Sequence, residues 1–132
     1  MATPKRKPAR KRLTKLVIDR AKWGTGALRN TEGKMCCLGF AVEACGVKLR
    51  ATTERFGKNW YGMPFELSKT RKAKLPAWLV VSPDGDYLPL QEIAQINDKT
   101  NKFTSLSNVE QEKLIARRFA EHGCKVTFVG ER

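Results

Sequence analysis

Few residues in this sequence have the type and spacing that catalysis requires. His122 is the single histidine, and a general base needs a hydrogen-bonded partner and a pocket. The chain has no Ser/His/Asp order, no H-E-x-x-H motif and no pair of carboxylates at helical spacing. Asp84 and Asp86 lie in a Ser-Pro-Asp-Gly-Asp stretch typical of a turn. We therefore expect a protein that is not an enzyme, in which His122 favours the dipole at a helix C-terminus.

The four cysteines do not have the spacing of a metal site. Structural zinc needs two ligand pairs, typically at C-x2–4-C spacing, and Cys36, Cys37, Cys45 and Cys124 provide neither pair. Three of them lie in one apolar segment, MCCLGFAVEACG. A buried free cysteine behaves as a small hydrophobic residue. We expect reduced thiols in the core of a cytoplasmic protein, with no metal and no cofactor.

The composition favours contact with a polyanion. The 132 residues include 26 Lys plus Arg against 13 Asp plus Glu, which gives a net charge of +13. Residues 1–76 carry +14 and residues 77–132 carry −1, so the excess of positive charge is confined to one part of the chain. This asymmetry is typical of proteins that meet nucleic acid or another acidic partner. The alternative is a surface charge that only keeps the protein soluble.

Cations and aromatic residues alternate between residues 47 and 63. Aromatic rings stack on bases while cations hold phosphates, so this composition suits nucleic acid. The alternative is that Phe56, Trp60 and Tyr61 complete the core, which is the commoner use of aromatic residues in a small domain. Together with the basic residues elsewhere, the candidate nucleic-acid contacts are Lys5, Arg6, Lys7, Arg10, Lys11, Arg12, Arg29, Lys34, Arg50, Arg55, Lys58, Trp60, Arg71, Lys72 and Lys74.

The chain divides into a basic tail and one domain. Residues 1–12, MATPKRKPARKR, are typical of a disordered tail because prolines break helices and like charges repel. The same composition resembles a nuclear localisation signal or an arm that lies along phosphates. Residues 13–132 are long enough for a single domain, and the 41% hydrophobic content supports a modest core. No apolar run reaches the ~18 residues of a membrane span, and none follows the tail as in a secretory signal.

Five helices are predicted to position these residues. A segment apolar at nearly every position, 35–45, predicts a buried central helix that Gly46 ends in a left-handed conformation. A Ser107–Glu110 capping box begins the last helix. The four further helices are predicted over 13–22, 64–74, 89–97 and 107–122.

Two apolar segments, 77–81 and 124–129, are predicted as strands of a small sheet. Residues 82–86 predict a turn after the first of them. The glycines at 24 and 26 indicate a loop with close backbone approach, but not a phosphate-binding P-loop, because Lys and Ser/Thr do not follow. The sequence therefore predicts a single α+β domain with a buried central helix, three or four further helices and a small sheet.

Two blocks of the sequence resemble a signature found in small uncharacterised bacteriophage proteins. In those proteins a GxLR loop leads to a CCLG helix, and the chain ends with an LND…S…I…F…G…V.F pattern. The matching segments here are 23–29, 35–40, 96–98, 106–107, 115–119 and 123–129. The resemblance implies a phage or prophage origin and a bacterial cytoplasm. It brings no established activity and no site residues, and the basic tail is not part of it.

The favoured function is that of a small phage-type accessory protein that binds DNA or RNA. Contacts to phosphates give affinity with little sequence preference. The alternative is a phage-encoded inhibitor that docks on an acidic surface of a host protein. Neither function involves a membrane.

Overall fold

The centre of the fold is a short helix, α1 (Cys37–Ala44), that is buried along most of its length. The computed structural model describes residues 13–52, 54–80 and 88–131. The helix ends at Ala44, and Gly46, directly after the C-cap residue Cys45, has a φ of +90° in the left-handed region. The predicted buried helix and its glycine stop are thus both confirmed.

The described sheet has two strands, β1 (Lys15–Asp19) and β2 (Lys125–Val129), which pair in parallel. Lys15 lies opposite Lys125 and Asp19 opposite Val129. The strands are 110 residues apart in the chain. The helix α1 contacts β1, and helix α5 (Asn108–Ala120) packs against β2. The predicted strand over 124–129 is confirmed, but its partner is not the segment 77–81.

The predicted helix over 13–22 is wrong. Leu16 and Ile18 are buried while Val17 between them is 58% exposed, which is the alternation of a strand with one covered face. Only Arg20–Lys22 forms a single 3-10 turn. The apolar residues of this segment fit the period of a helix as well as that of a strand, and pairing with β2 favours the strand.

The predicted strand over 77–81 is also wrong, because residues 77–80 form the one-turn helix α3 (Ala77–Val80). Leu79 is fully buried, and the Trp78 ring meets the Phe119 ring edge-on with 5.6 Å between their centroids. Pro76 comes directly before the turn, where proline is tolerated. Val81 and the predicted turn at 82–86 lie outside the described residues.

The predicted helix over 64–74 is interrupted. A 3-10 turn, Pro64–Glu66, is separated from α2 (Lys69–Lys72) by extended backbone at Leu67. Leu67 is buried, and Ser68 caps α2 by accepting a hydrogen bond from the Arg71 amide at 3.4 Å. A new helix start inside the pattern therefore divides one predicted helix into two short ones.

The last two helices confirm the sequence prediction. The first, α4 (Leu88–Asp98), packs on α5. The capping box at the start of α5 is complete, since the Ser107 hydroxyl accepts from the Glu110 amide and the Glu110 carboxylate accepts from the Ser107 amide, both at 3.1 Å. In the described ranges the fold is thus α+β, with a central helix, four further helices and a small sheet. None of the helices described is long and apolar enough to cross a membrane.

The loop before α1 crosses the helix at Gly39 without room for a side chain. A Cβ atom on Gly39 would lie 2.0 Å from the Leu28 carbonyl oxygen, which is backbone and has no freedom to move aside. The loop is held there because the Leu28 amide donates to the Tyr61 carbonyl at 2.8 Å. The glycine of the CCLG segment is therefore required by packing.

Gly39→Ala should lower the free energy of unfolding by more than about 3 kcal/mol, because the loop and helix must separate to admit the methyl group. The matched control is Gly46→Ala, where a Cβ meets no atom within 4 Å but the φ is +90°. Backbone strain alone should cost about 1 kcal/mol there. Urea unfolding of both variants measures the difference, and equal losses would contradict the packing argument.

Candidate functional site

An open groove of about 370 Å³ lies over the loop that joins β1 to α1. One wall is the 23–34 loop, including Asn30 and Lys34, and the other contains Arg55 and Trp60. A smaller hollow of about 140 Å³ shares the 23–25 segment and Lys34 with the groove and extends to Arg20. The sequence segments that carry the GxLR-type loop and the mixed basic and aromatic stretch thus meet at one surface.

Trp23 and Gly24, two of the residues that line the groove, are held by the buried side chain of Asn97. Its Oδ1 accepts hydrogen bonds from Trp23 Nε1 at 2.6 Å and from the Cys37 amide at 2.9 Å. Its Nδ2 donates to the Gly24 carbonyl at 3.1 Å and to Asp98 Oδ1 at 2.9 Å. The Cys37 amide is one of the free donors at the start of α1, and the residue before it provides no side-chain cap. A side chain at the end of α4 therefore supplies that cap.

The rest of the loop is held by two more polar side chains. Asp98 Oδ1 accepts from the Gly26 amide at 3.2 Å. Asn30 Oδ1 accepts from the amides of residues 32 and 34, both at 3.0 Å, and its Nδ2 donates to the Thr25 carbonyl at 3.1 Å. The groove wall is consequently preformed.

Asn97→Asp should lower the free energy of unfolding by about 3 kcal/mol. A carboxylate has no N–H to donate, and its charge would face Asp98 and the Gly24 carbonyl in a buried position. The control is the same change at exposed Asn108, expected to shift stability by less than about 0.5 kcal/mol. Denaturant unfolding monitored by circular dichroism compares them, and similar stabilities for the two variants would refute the proposed role of the amide.

The second wall of the groove presents an aromatic pair to solvent. Phe56 is 77% exposed, and its ring centroid lies 5.7 Å from that of Trp60. The Arg55 guanidinium lies over the Phe56 ring, 5.0 Å from the centroid. Tyr61 and not Phe56 packs against the core. Of the three aromatic residues that the sequence places alternatively in the core, Tyr61 packs against the core, Trp60 is half-buried at the groove and Phe56 faces water.

The candidate contacts are distributed unevenly around the groove. Lys34, Arg55 and Trp60 line it. Arg29 instead turns into the protein, where one guanidinium nitrogen donates to the Leu49 carbonyl at 2.8 Å and Nε is buried without a partner among the described atoms. The other described candidates do not line it: Arg50, Lys58 and Lys74 are exposed, and Arg71 and Lys72 are half-buried on α2. Lys5, Arg6, Lys7, Arg10, Lys11 and Arg12 lie outside the described residues.

The described ion pairs use carboxylates from the second part of the chain. The described ion pairs are Arg20–Glu112 at 2.6 Å, Arg118 with Glu92 and Glu121, and Lys102–Glu92, so every carboxylate involved lies at or after α4. Glu32 lines the groove and is exposed, and two other carboxylates of the basic part of the chain accept hydrogen bonds from backbone amides. Glu43 accepts from the amide of residue 49 at 3.2 Å, and Glu66 from that of residue 62 at 2.7 Å. Within the described ranges, no ion pair joins a carboxylate to any candidate cation between residues 29 and 74.

Sequence reasoning missed two residues of this surface. Phe56 is one of the aromatic residues that the sequence places alternatively in the core, and it is not among the predicted contacts. Its position between Arg55 and a glycine in a turn-rich segment is the signal that indicates a surface residue. Asn97 gave no signal, because a buried amide that bonds across 74 and 60 residues to Trp23 and Cys37 leaves no local pattern.

The four cysteines are buried free thiols. Burial raises the pKa of Cys36 to about 12 and that of Cys37 well above its usual value. Burial, with a smaller effect of Cys45, also raises the pKa of Cys124. Among the described residues, no three His, Cys, Asp or Glu side chains come together as a metal site.

The imidazole of His122 stacks on the Trp78 indole, with 4.3 Å between ring centroids and 2° between the planes. Burial lowers the pKa of His122 from its ordinary value, while Glu121 has a smaller opposing effect. The described ring contact of His122 is thus with α3, and the lowered pKa disfavours the protonated imidazole that the sequence analysis places at the helix C-terminus.

The native thiols should react slowly with Ellman's reagent at neutral pH. The reactive form is the thiolate, which at a pKa of about 12 is about one part in 100,000 of Cys36, and the reagent cannot reach a buried sulfur. The same protein in concentrated urea should react at once. Rapid labelling of three thiols in the native state, or stoichiometric zinc by elemental analysis, would contradict core packing.

Comparison with known proteins does not assign the chain to a family. No protein-family model, curated protein or solved structure gives a significant match.

Proposed function

We propose that the protein binds nucleic acid, mainly through contacts to phosphates. The supporting observation is that the candidate cations between residues 29 and 74 have no carboxylate partner in the described structure, whereas several arginines and lysines elsewhere do. Unpaired surface cations repel one another and gain free energy when a polyanion approaches. Each phosphate that they neutralise also releases counterions, which strengthens binding at low salt.

The groove supplies the centre of the proposed interface. Lys34 and Arg55 both line it and provide the phosphate contacts of the proposed interface. Arg50, Lys58, Arg71, Lys72 and Lys74 extend the positive surface, and the basic segment 5–12 adds a further arm. Arg29 is excluded from this role because its guanidinium serves the Leu49 carbonyl.

Such an interface gives affinity with little sequence preference. The Asn97 amide, which has the hydrogen-bonding groups for reading a base, already uses both its oxygen and its nitrogen within the loop. Cations that contact phosphates position a nucleic acid without reading it. The proposed role is therefore that of a non-enzymatic accessory protein, of phage type and in the bacterial cytoplasm as the sequence resemblance implies.

Two double variants that lower the net charge equally test whether the groove cations contact phosphates. Lys34→Gln/Arg55→Gln should weaken binding to duplex DNA and flatten its salt dependence by about two units of log–log slope. The control, Lys113→Gln/Lys125→Gln, removes two exposed cations on α5 and β2 and should leave the slope nearly unchanged. For the native protein, four to six phosphate contacts predict a slope of about −4 to −5. Fluorescence anisotropy at several salt concentrations measures all three proteins.

Equal losses in the two variants would show that only net charge matters and that the groove is not the interface. A failure of the native protein to bind DNA or RNA at low salt would overturn the proposal. A salt-insensitive complex with one host protein that survives nuclease treatment would replace it with the inhibitor function.

A further inference from the structure

Phe56 occupies a position that folding does not explain. Its side chain is 77% exposed, so it contributes little to the core. Its φ of +63° lies in the left-handed region, which is an outlier for a bulky residue and costs of the order of 1 kcal/mol or more. Glycine or asparagine would be favoured at such a position if conformation alone decided. The ring is therefore held in solvent at a conformational cost.

The surroundings of Phe56 have the chemistry of a base-stacking surface. The centroid of the Trp60 ring lies 5.7 Å from that of Phe56, with 57° between the planes. The Arg55 guanidinium lies over the Phe56 ring, 5.0 Å from its centroid, and the side chain remains 77% exposed to a ligand. The Gly57 amide donates to the Glu54 carbonyl at 3.1 Å and the Trp60 amide to the Gly57 carbonyl at 3.0 Å, so the turn itself is closed.

The aromatic pair of Phe56 and Trp60 adjoins the groove. Trp60 lines the groove, as do Lys34 and Arg55, and the Arg55 guanidinium also lies over the Phe56 ring. A strand of nucleic acid bound in the groove is therefore close enough to reach the exposed ring of Phe56. An unpaired base has a free π-face for that ring, whereas a base inside a duplex is covered by its neighbours on both faces.

We propose that the ligand of this groove is single-stranded nucleic acid, with one unpaired base stacked on Phe56 and the adjoining phosphates held by Arg55 and Lys34. This inference rests on the proposed function and narrows it from any nucleic acid to an unpaired strand. An acidic protein surface would satisfy the cations but would leave the strained, exposed ring without a role. The groove cations and the exposed Phe56 ring together favour a polyanion that also carries aromatic bases.

The test compares native protein and Phe56→Ala on four fluorescent ligands: oligo(dT), oligo(U), an abasic strand of the same length, and a DNA duplex. The native protein should bind a single strand more tightly than the duplex and the abasic strand. Removing the ring should weaken single-strand binding about tenfold, the usual effect of losing one stacked base. Duplex binding should not change, since the phosphate contacts remain. Binding of either oligo(dT) or oligo(U) in this way supports the inference, and their relative affinity identifies the sugar.

Two controls separate stacking from instability. Val109→Ala removes another exposed apolar side chain, 63% exposed on α5, and should leave single-strand binding unchanged. Phe56→Gly should raise the melting temperature above that of Phe56→Ala because it relieves the positive φ, yet it should bind single strands as weakly as Phe56→Ala does.

The two proposals fail differently. Equal affinity of the native protein for single strand and duplex, with no effect of Phe56→Ala on either, would overturn the single-strand inference and leave nucleic-acid binding intact. Absence of binding to every ligand would overturn both proposals.

Discussion

One buried amide connects three parts of this molecule that are distant in sequence. Asn97 stands at the end of α4, caps the start of α1 through the Cys37 amide and holds Trp23 and Gly24 of the preceding loop. Each of these polar groups would be left without its partner if the amide were lost, and an unsatisfied buried group costs more than a hydrogen bond gains. The packing of the central helix and the position of Trp23 and Gly24 in the groove thus depend on the same side chain.

This arrangement separates the polar groups that build the fold from those that face solvent. Asn97 and Asp98 hold the loop, and Glu92 and Glu112 pair with arginines against the helices. The groove cations Lys34 and Arg55 form no ion pair in the described structure. A surface of this kind can meet a ligand without first breaking an ion pair, so little reorganisation of charge opposes binding.

Local signals in the sequence predicted the elements that depend on local physics. The all-apolar pattern of α1, the stop at Gly46 and the capping box of α5 each depend on neighbours within one turn. The segment 13–22 failed because its apolar residues satisfy both a helical and a strand period, and only pairing with a strand 110 residues later decides. The composition predicted the cations of the site. It did not predict that Phe56 faces solvent, which only the turn-forming neighbours of Phe56 indicate.

The parallel pairing of β1 with β2 has a consequence for biosynthesis. The first strand leaves the ribosome long before its partner, and until residues 125–129 follow, Leu16 and Ile18 lie on a strand with an open edge. The sheet therefore closes only after residues 125–129 have been synthesised. A product that stops short of β2 would keep that edge open, and an unpaired apolar strand is a substrate for quality-control proteases and a template for aggregation.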